Sequence, residues 1–223
     1  SWFFPPCRLK RMRVISGRFK GVALTTPKQG TRPTTDRTKE AIFSHLDSWG
    51  VLDDARVLDL FAGTGALGIE ALSRGARELT AVEASRPAAA LIGKTVAQLK
   101  RNRSWAPDMR AQVLVRKAEM LAGGTANAPY DVVFIDPPYA FETEDCNRLL
   151  ADLAAHGWVD ERSVIMLERS ARSSDPAAPS GWEITQSKTY GETAVFYIEA
   201  VPADADQGID ADDGAGIGRE SEA

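Results

Sequence analysis

Residues that could do chemistry are concentrated in two short segments, each of which follows a predicted strand. The first segment begins at Asp59, and its glycines Gly63, Gly65 and Gly68 match the GxGxxG spacing of nucleotide-binding turns. Glycines in such a turn let a ligand approach bare backbone. Glu83 follows Gly63 by 20 residues and ends the next predicted strand, where a carboxylate can bind ribose hydroxyls. This segment therefore predicts a site for a nucleotide-like ligand.

The charge of Asp59 separates two classes of cofactor. The pyrophosphate of a dinucleotide is doubly anionic, so a carboxylate a few residues before the glycines would oppose it. S-adenosylmethionine has no phosphate, and its sulfonium and ammonium groups are both attracted to an acid. Asp59 therefore favours S-adenosylmethionine over NAD. Glu119, just beyond the third predicted strand, is a candidate for the adenine end, although an exposed loop acid has the same pattern.

The second segment, residues 136–139, has the sequence Asp-Pro-Pro-Tyr and follows a buried apolar run. It lies beyond the carboxyl end of a predicted strand, which is where doubly wound sheets bind their ligands. Asp136 and the carbonyl of Pro137 can accept hydrogen bonds from an exocyclic amine of a base, and Tyr139 can stack on that base. Methyl transfer makes the amine nitrogen positive, and fixed acceptors stabilise this charge. We therefore predict these three residues to be catalytic in base methylation.

The elements that must position these segments form a regular alternation. Predicted strands at 56–61, 79–83, 111–116, 131–136 and 163–168 alternate with helical patterns at 66–74, 87–100 and 144–156. This order predicts an α/β, Rossmann-like, mostly parallel sheet with helices on both faces. Runs 182–187 and 194–200 predict an antiparallel pair that closes one sheet edge. Two short alternating runs at 12–16 and 21–25 predict a small N-terminal β-hairpin.

Composition changes along the chain predict four regions. Residues 1–11 look unlike the rest of the chain and are interpreted as an extension or a start-site artefact, with Met12 as the natural beginning. A basic hairpin region (12–30) then precedes a methyltransferase domain (31–200). An acidic tail (201–223) has no apolar periodicity and is expected to be disordered.

Charge and composition limit the class of protein. The net charge is only −4, but residues 1–39 contain ten basic side chains against Asp36 alone, which indicates either a polyanion-facing arm or a solvated basic face. No apolar stretch approaches the ~20 residues of a membrane-spanning helix. Cys7 and Cys146 indicate neither a zinc site nor a disulfide framework. We expect a monomeric, cytoplasmic protein of 223 residues that uses no metal.

Taken together, the motifs resemble the RsmD-type bacterial methyltransferases, which modify guanine N2 in 16S rRNA. The matching stretches are residues 12–21, 32–37, 59–75 and 136–139, and the resemblance covers about residues 12–200. Asp-Pro-Pro-Tyr alone also occurs in enzymes that methylate adenine N6 or cytosine N4 in DNA. The block Arg-Pro-Thr-Thr-Asp-Arg at 32–37 is much more particular to the RsmD type.

The resemblance implies a class I S-adenosylmethionine-dependent fold with a small N-terminal hairpin. It implies that Thr34 and Thr35 lie near the methionine end of the cofactor. It also implies that the basic hairpin and the following loop bind 16S rRNA in an assembling small ribosomal subunit. The basic residues concerned are Arg13, Arg18, Lys20, Arg32 and Arg37.

Three other functions fit parts of the pattern. A DNA adenine-N6 or cytosine-N4 methyltransferase would use the same chemistry on a different polymer. An NAD(P)-dependent oxidoreductase is favoured by the GxGxxG spacing alone. A non-catalytic RNA-binding assembly factor would need only the basic front of the chain.

Overall fold

A computed structural model describes residues 12–26 and 34–203. Its helices are α1 (Asp36–Trp49), α2 (Ala66–Ser73), α3 (Arg86–Lys100), α4 (Ala118–Ala122) and α5 (Thr143–Ala155). Its strands are β1 (Arg56–Asp59), β2 (Glu78–Glu83), β3 (Arg110–Val115), β4 (Val132–Ile135), β5 (Val164–Ser170), β6 (Trp182–Tyr190) and β7 (Thr193–Ala200). The predicted extension at 1–11, the loop with Arg32, and residues 204–223 of the predicted acidic tail lie outside the described residues.

The seven strands form one sheet in the order β3-β2-β1-β4-β5-β7-β6. Strands β1 to β5 are parallel, whereas β7 is antiparallel to both β5 and β6. The predicted α/β class and the antiparallel closing pair are confirmed. The strand order reverses between β1 and β4, and this switch point is where open α/β sheets bind ligands at the carboxyl ends of their strands.

Alternate residues of the central strands pack on opposite faces of the sheet, as strand geometry requires. Phe134 and Met166 belong to the core shared with α1, α2 and α3. Ile135 and Leu167 belong to the core shared with α4 and α5. The ring of Phe43 in α1 lies 5.7 Å from that of Phe134. The α1 face of β4 and β5 is therefore the face on which residues 136 and 168 are expected to lie.

The N-terminal hairpin is small. Its antiparallel pairing is one bridge between Arg13 and Ala23, supported by a 2.9 Å hydrogen bond from the Leu24 amide to the Met12 carbonyl. Phe19 buries its ring in the core on the α1 face of the sheet. The hairpin therefore folds as part of the main domain and shares its core.

Polar contacts hold the hairpin against α2. The amides of Ile15 and Ser16 donate to the two carboxylate oxygens of Glu70 at 2.9 and 3.0 Å. Gly17 has φ +88°, and a side chain there would overlap the backbone carbonyl of Ser73. Because Ser73 ends α2, the tip of the hairpin lies at the end of α2 remote from the glycine segment.

The differences from the predicted elements that concern the site lie in β1, β4 and α4. Strand β1 ends two residues earlier than predicted and β4 one residue earlier, because the chain leaves the sheet at the glycine segment and at the Asp-Pro-Pro-Tyr segment. Helix α4 was not predicted, since five residues are too few to show a helical period. No helix among the described residues is both long and apolar enough to cross a membrane.

Candidate active site

The first half of the site is the glycine turn, residues 60–65, which connects β1 to α2. Gly63 and Gly65 have φ of 57° and 79°, in the left-handed region that favours glycine. The Glu83 carboxylate at the end of β2 accepts hydrogen bonds from the Gly63 amide at 2.8 Å and the Ser85 amide at 3.0 Å. These hydrogen bonds stabilise the conformation of the turn and hold the Glu83 carboxylate beside it.

Asp59, the last residue of β1, is an acid buried beneath this turn with only 1% of its surface exposed. Its Oδ2 atom accepts a 3.1 Å hydrogen bond from the Gly68 amide, while Oδ1 has no hydrogen-bond partner within the described ranges. Burial raises the pKa of Asp59 to about 7; the charges of Asp136 and Glu83 add to the rise, and the Gly68 bond opposes it. A cationic ligand would stabilise this carboxylate.

The second half of the site is the Asp-Pro-Pro-Tyr segment, residues 136–139, which follows β4. It lies beside the glycine turn because β4 pairs directly with β1, and the Leu60 amide donates to the Phe134 carbonyl at 3.0 Å. The rings of Phe61 and Phe141 then pack edge to face, with centroids 5.1 Å apart. Two motifs more than 70 residues apart in sequence therefore meet at one edge of the sheet.

Thr34 brings the residues before α1 into this site. Its hydroxyl lies 3.2 Å from Oδ2 of Asp136 and 3.3 Å from Oε2 of Glu168, the fifth residue of β5. Burial raises the pKa of Asp136 to about 6, and the hydrogen bond from Thr34 opposes this rise. Glu168 was not predicted as a site residue. Its only sequence signal was that it closes a predicted strand at the same edge of the sheet.

Tyr139 is 69% exposed, so its ring is accessible to a second molecule. The loop that follows it is fixed from below by Arg169 in β5, which donates to the Phe141 carbonyl at 2.7 Å and lies 3.4 Å from the Thr143 hydroxyl. Arg169 is buried, as expected for a residue that positions a loop. The site thus combines a fixed carboxylate and an exposed ring.

Two predicted cofactor residues have no direct contact with this cluster in the structure. The Thr35 hydroxyl caps α1 by accepting a 3.2 Å hydrogen bond from the Thr38 amide. Glu119 lies in the first turn of α4, exposed, beyond the carboxyl end of β3. Both remain at the ligand-binding edge, and their predicted roles stay predictions.

The predicted RNA-binding residues lie at different distances from the site. Arg13, Arg18, Lys20 and Arg37 are all exposed, and Arg32 is outside the described part of the chain. The Arg18 amide donates to the carbonyl of Ser73, so the hairpin tip is separated from the glycine turn by the length of α2, about 12 Å for eight residues. Arg37 belongs to the first turn of α1, two residues after Thr35.

The residues of the glycine turn fit S-adenosylmethionine. A Cβ built on Gly63 would meet no protein atom within 4 Å, so the turn borders open space. Asp59 supplies an unpaired buried carboxylate oxygen for a cation, and Glu83 supplies acceptors for ribose hydroxyls. Among the described side chains, no group of three or more His, Cys, Asp or Glu residues is arranged to hold a metal ion.

The seven-stranded sheet, with the glycine turn after β1, is the fold of the class I S-adenosylmethionine-dependent methyltransferases. A solved structure of a putative methyltransferase, yhhF, from Escherichia coli aligns with a TM-score of 0.74 and 30% identity, covering 85% of this chain and 98% of that one. Magnesium protoporphyrin IX methyltransferase from Synechocystis PCC 6803, solved with bound S-adenosylmethionine, aligns with a TM-score of 0.56 over 77% of this chain and 87% of that one. At 13% identity, the latter shows the fold alone.

The chain belongs to the family described as conserved hypothetical protein 95, whose sequence model matches residues 12–199. It is 34% identical over 186 residues to ribosomal RNA small subunit methyltransferase D of Escherichia coli K12, covering 82% of this chain and 87% of that protein. The resemblance to the RsmD type is thereby confirmed.

Proposed function

We propose that this protein transfers a methyl group from S-adenosylmethionine to the exocyclic N2 of a guanine in 16S rRNA. The observation that carries the proposal is the position of the half-buried Asp136 carboxylate just after β4, which pairs with β1, close enough to Asp59 for the two charges to interact. A site for a sulfonium donor and a site for a base amine thus share one edge of the sheet. The name of the Escherichia coli relative, a small-subunit rRNA methyltransferase, supports rRNA as the substrate.

The chain's own residues would hold the cofactor from three sides. We assign Glu83 to the ribose hydroxyls, Asp59 to the cationic methionine portion, and Glu119 to the adenine end. Thr34 and Thr35 would border the methionine end from α1. When bound, S-adenosylmethionine supplies an electrophilic methyl group and a neutral leaving group.

The acceptor side of the mechanism is electrostatic. Asp136 and the Pro137 carbonyl accept hydrogen bonds from the base amine, and Tyr139 stacks on the ring. As the nitrogen attacks the methyl carbon it becomes positive, and the fixed acceptors stabilise this charge without reorganising. Asp136 then takes the proton, for which its pKa of about 6 is well matched at neutral pH. A paired base would first have to be flipped out, whereas a looped-out base would not.

The exposed basic residues supply the contacts to the RNA backbone in this proposal. Arg37 would bind phosphates next to the reacting base, while Arg13, Arg18 and Lys20 would bind RNA further along the surface. Arg32 is assigned to the same surface from its sequence position. We infer that the partner is an assembling small subunit in the cytoplasm and that the protein acts as a monomer.

Nucleoside mass spectrometry tests the proposal. Small subunits from a strain lacking the enzyme are incubated with the protein and S-adenosylmethionine, and we expect N2-methylguanosine in the 16S rRNA. Asp136→Asn, which keeps the shape but removes the charge, serves as the control and should lose most of the product. Methyladenine or methylcytosine in DNA instead would identify the DNA methyltransferase. Binding of NADH without binding of S-adenosylmethionine would indicate an oxidoreductase. An Asp136→Ala variant that keeps the full biological effect of the protein would indicate a non-catalytic assembly factor.

A further inference from the structure

Basic side chains are concentrated where α3 ends and β3 begins. Residues 100–110 contain four basic residues against Asp108 alone, in a chain whose net charge is −4. The four basic side chains are all exposed: Lys100, Arg101, Arg103 and Arg110. Together with Trp105 they form what we call the α3–β3 surface. Because the chain as a whole is acidic, this local excess of positive charge sets the surface apart from its surroundings.

The charges of the α3–β3 surface are not neutralised by nearby carboxylates. Its four basic side chains form no ion pair with any residue of the described ranges, whereas Arg56, at the start of β1, pairs with Glu78 at 2.8 Å. Arg110 donates to two backbone carbonyls of its own turn, both at 3.1 Å, and these carry no net charge. The surface therefore has positive charge available for an external anion.

The turn that carries these side chains is held in place by the hairpin. The Trp105 amide donates to the Asn102 carbonyl at 2.9 Å, and the Trp105 ring stacks on that of Phe19, with centroids 6.2 Å apart. Nη1 of Arg18 lies 3.2 Å from Sδ of Met109. The hairpin tip and the α3–β3 surface are therefore neighbours, and the turn needs little ordering when a ligand binds.

An open depression of about 520 Å³ lies at this surface, lined in part by Lys100, Trp105 and Arg110. Cations beside an aromatic ring are typical of surfaces that bind nucleic acid, because phosphates meet the cations while a base can stack on the ring. An anionic membrane would instead be favoured by exposed apolar side chains next to the charges. In the described part of the chain, none of the exposed large hydrophobic residues lies within 100–110.

The α3–β3 surface is remote from the proposed site of methyl transfer. Arg110 is the first residue of β3, whose carboxyl end lies at the ligand-binding edge of the sheet. Six residues of a strand place its two ends about 17 Å apart. A phosphate bound at this surface therefore belongs to a different segment of the RNA from the reacting nucleotide.

We propose that the α3–β3 surface binds phosphates of a second segment of the 16S rRNA while the target base occupies the ligand-binding edge. This inference rests on the proposed function, because it assigns further contacts to the same substrate. Such contacts contribute to binding and leave the reacting atoms untouched. Their loss should therefore raise KM and leave kcat unchanged.

The double variant Arg101→Gln/Arg103→Gln tests the proposal, since it removes two charges from exposed side chains. Filter binding to small ribosomal subunits is measured at several salt concentrations and constant Mg²⁺. The slope of log Kobs against log salt should become shallower by about 1.4–1.8, and affinity at about 100 mM salt should fall roughly tenfold or more. In methyl transfer, KM should rise by a similar factor at unchanged kcat.

The matched control is Arg148→Gln/Arg162→Gln, which causes the same change in net charge. Both arginines are exposed, but they pair with Asp145 and Asp160, in and beside α5. This control should keep the wild-type salt slope and KM. Thermal unfolding of both double variants checks that neither alters the fold.

A wild-type salt slope in Arg101→Gln/Arg103→Gln would overturn the inference, and so would an equal loss of affinity in the control. Loss of binding to phosphatidylglycerol vesicles, with RNA binding retained, would assign the surface to a membrane instead. Each of these results leaves the proposed function intact, provided the wild type forms N2-methylguanosine. Absence of that product from the wild-type reaction would refute the proposed function itself.

Discussion

Replacement of Gly63 by alanine separates the conformational role of the glycine turn from its role in ligand binding. Gly63 has φ +57°, and a Cβ at this position would meet no protein atom within 4 Å. The added methyl group therefore meets no steric conflict within the protein. The cost in folding free energy comes only from the left-handed backbone conformation, which alanine disfavours. That penalty is about 1 kcal/mol, which lowers the Tm of a domain of this size by about 2–4 °C.

The effect on S-adenosylmethionine should be much larger. The added methyl group would project into the space that the turn leaves beside Asp59 and Glu83. Forcing an extra methyl group into a filled contact costs about 1–3 kcal/mol. This corresponds to a dissociation constant that is roughly 5- to 150-fold higher.

Calorimetric titration with S-adenosylmethionine and thermal unfolding measure the two effects separately. The matched control is Gly50→Ala, because Gly50 ends α1 with φ +67° and its Cβ would also meet nothing within 4 Å. We expect both variants to lose similar thermal stability and only Gly63→Ala to lose affinity. Equal affinity in the two variants would refute the assignment of the glycine turn to the cofactor.

Three further predictions concern other parts of the molecule. In denaturant titrations, Glu70→Ala should lower the free energy of unfolding by about 3 kcal/mol, because it frees two hairpin amides and removes the carboxylate that faces the buried Lys39. Glu78→Ala, which removes a partly exposed ion pair with Arg56, should lower it by less than about 1 kcal/mol. The kcat/KM for methyl transfer should rise with pH and level off above about 6, because protonation of Asp136 below its raised pKa removes the acceptor. Arg37→Glu should weaken RNA binding more than Lys20→Glu, as measured by filter binding at fixed salt, because Arg37 is in the first turn of α1, three residues from Thr34, whereas Lys20 is at the remote hairpin tip.

Each of these expectations has a contradicting result. Equal destabilisation by the two glutamate variants would show that the hairpin is not held by its buried carboxylate. A pH profile that is flat between 5 and 7 would exclude Asp136 as a group that must be ionised. Loss of RNA binding in Lys20→Glu alone would place the RNA on the hairpin side of the domain.

The sequence predicted most of the features that local pattern determines. The alternation of strands and helices predicted the parallel sheet, and the two motifs were correctly expected to follow neighbouring ligand-side strand ends, those of β1 and β4. After β3 the chain crosses back over the sheet, and β4 is added beside β1. Because this order is usual in doubly wound sheets, the proximity of Asp59 and Asp136 could be anticipated. The placement of β7 between β5 and β6 could not be predicted, because either strand of the antiparallel pair could have joined β5.

Tertiary contacts account for the features that the sequence did not reveal. Glu168 has no motif around it, and its place in the site depends on the Thr34 hydroxyl and on the pairing of β5 with β4. Glu70 has the pattern of a surface helix residue, yet it is fully buried because the hairpin covers it. Such residues are recognised only when distant segments are seen together.

A crystal structure of the protein with S-adenosylmethionine would show whether the glycine turn and the Asp-Pro-Pro-Tyr segment form one site. We expect the ribose hydroxyls to contact Glu83 and the methyl carbon to face the gap between Asp136 and Tyr139. A ligand bound away from the glycine turn, or a methyl group directed away from Asp136, would contradict it.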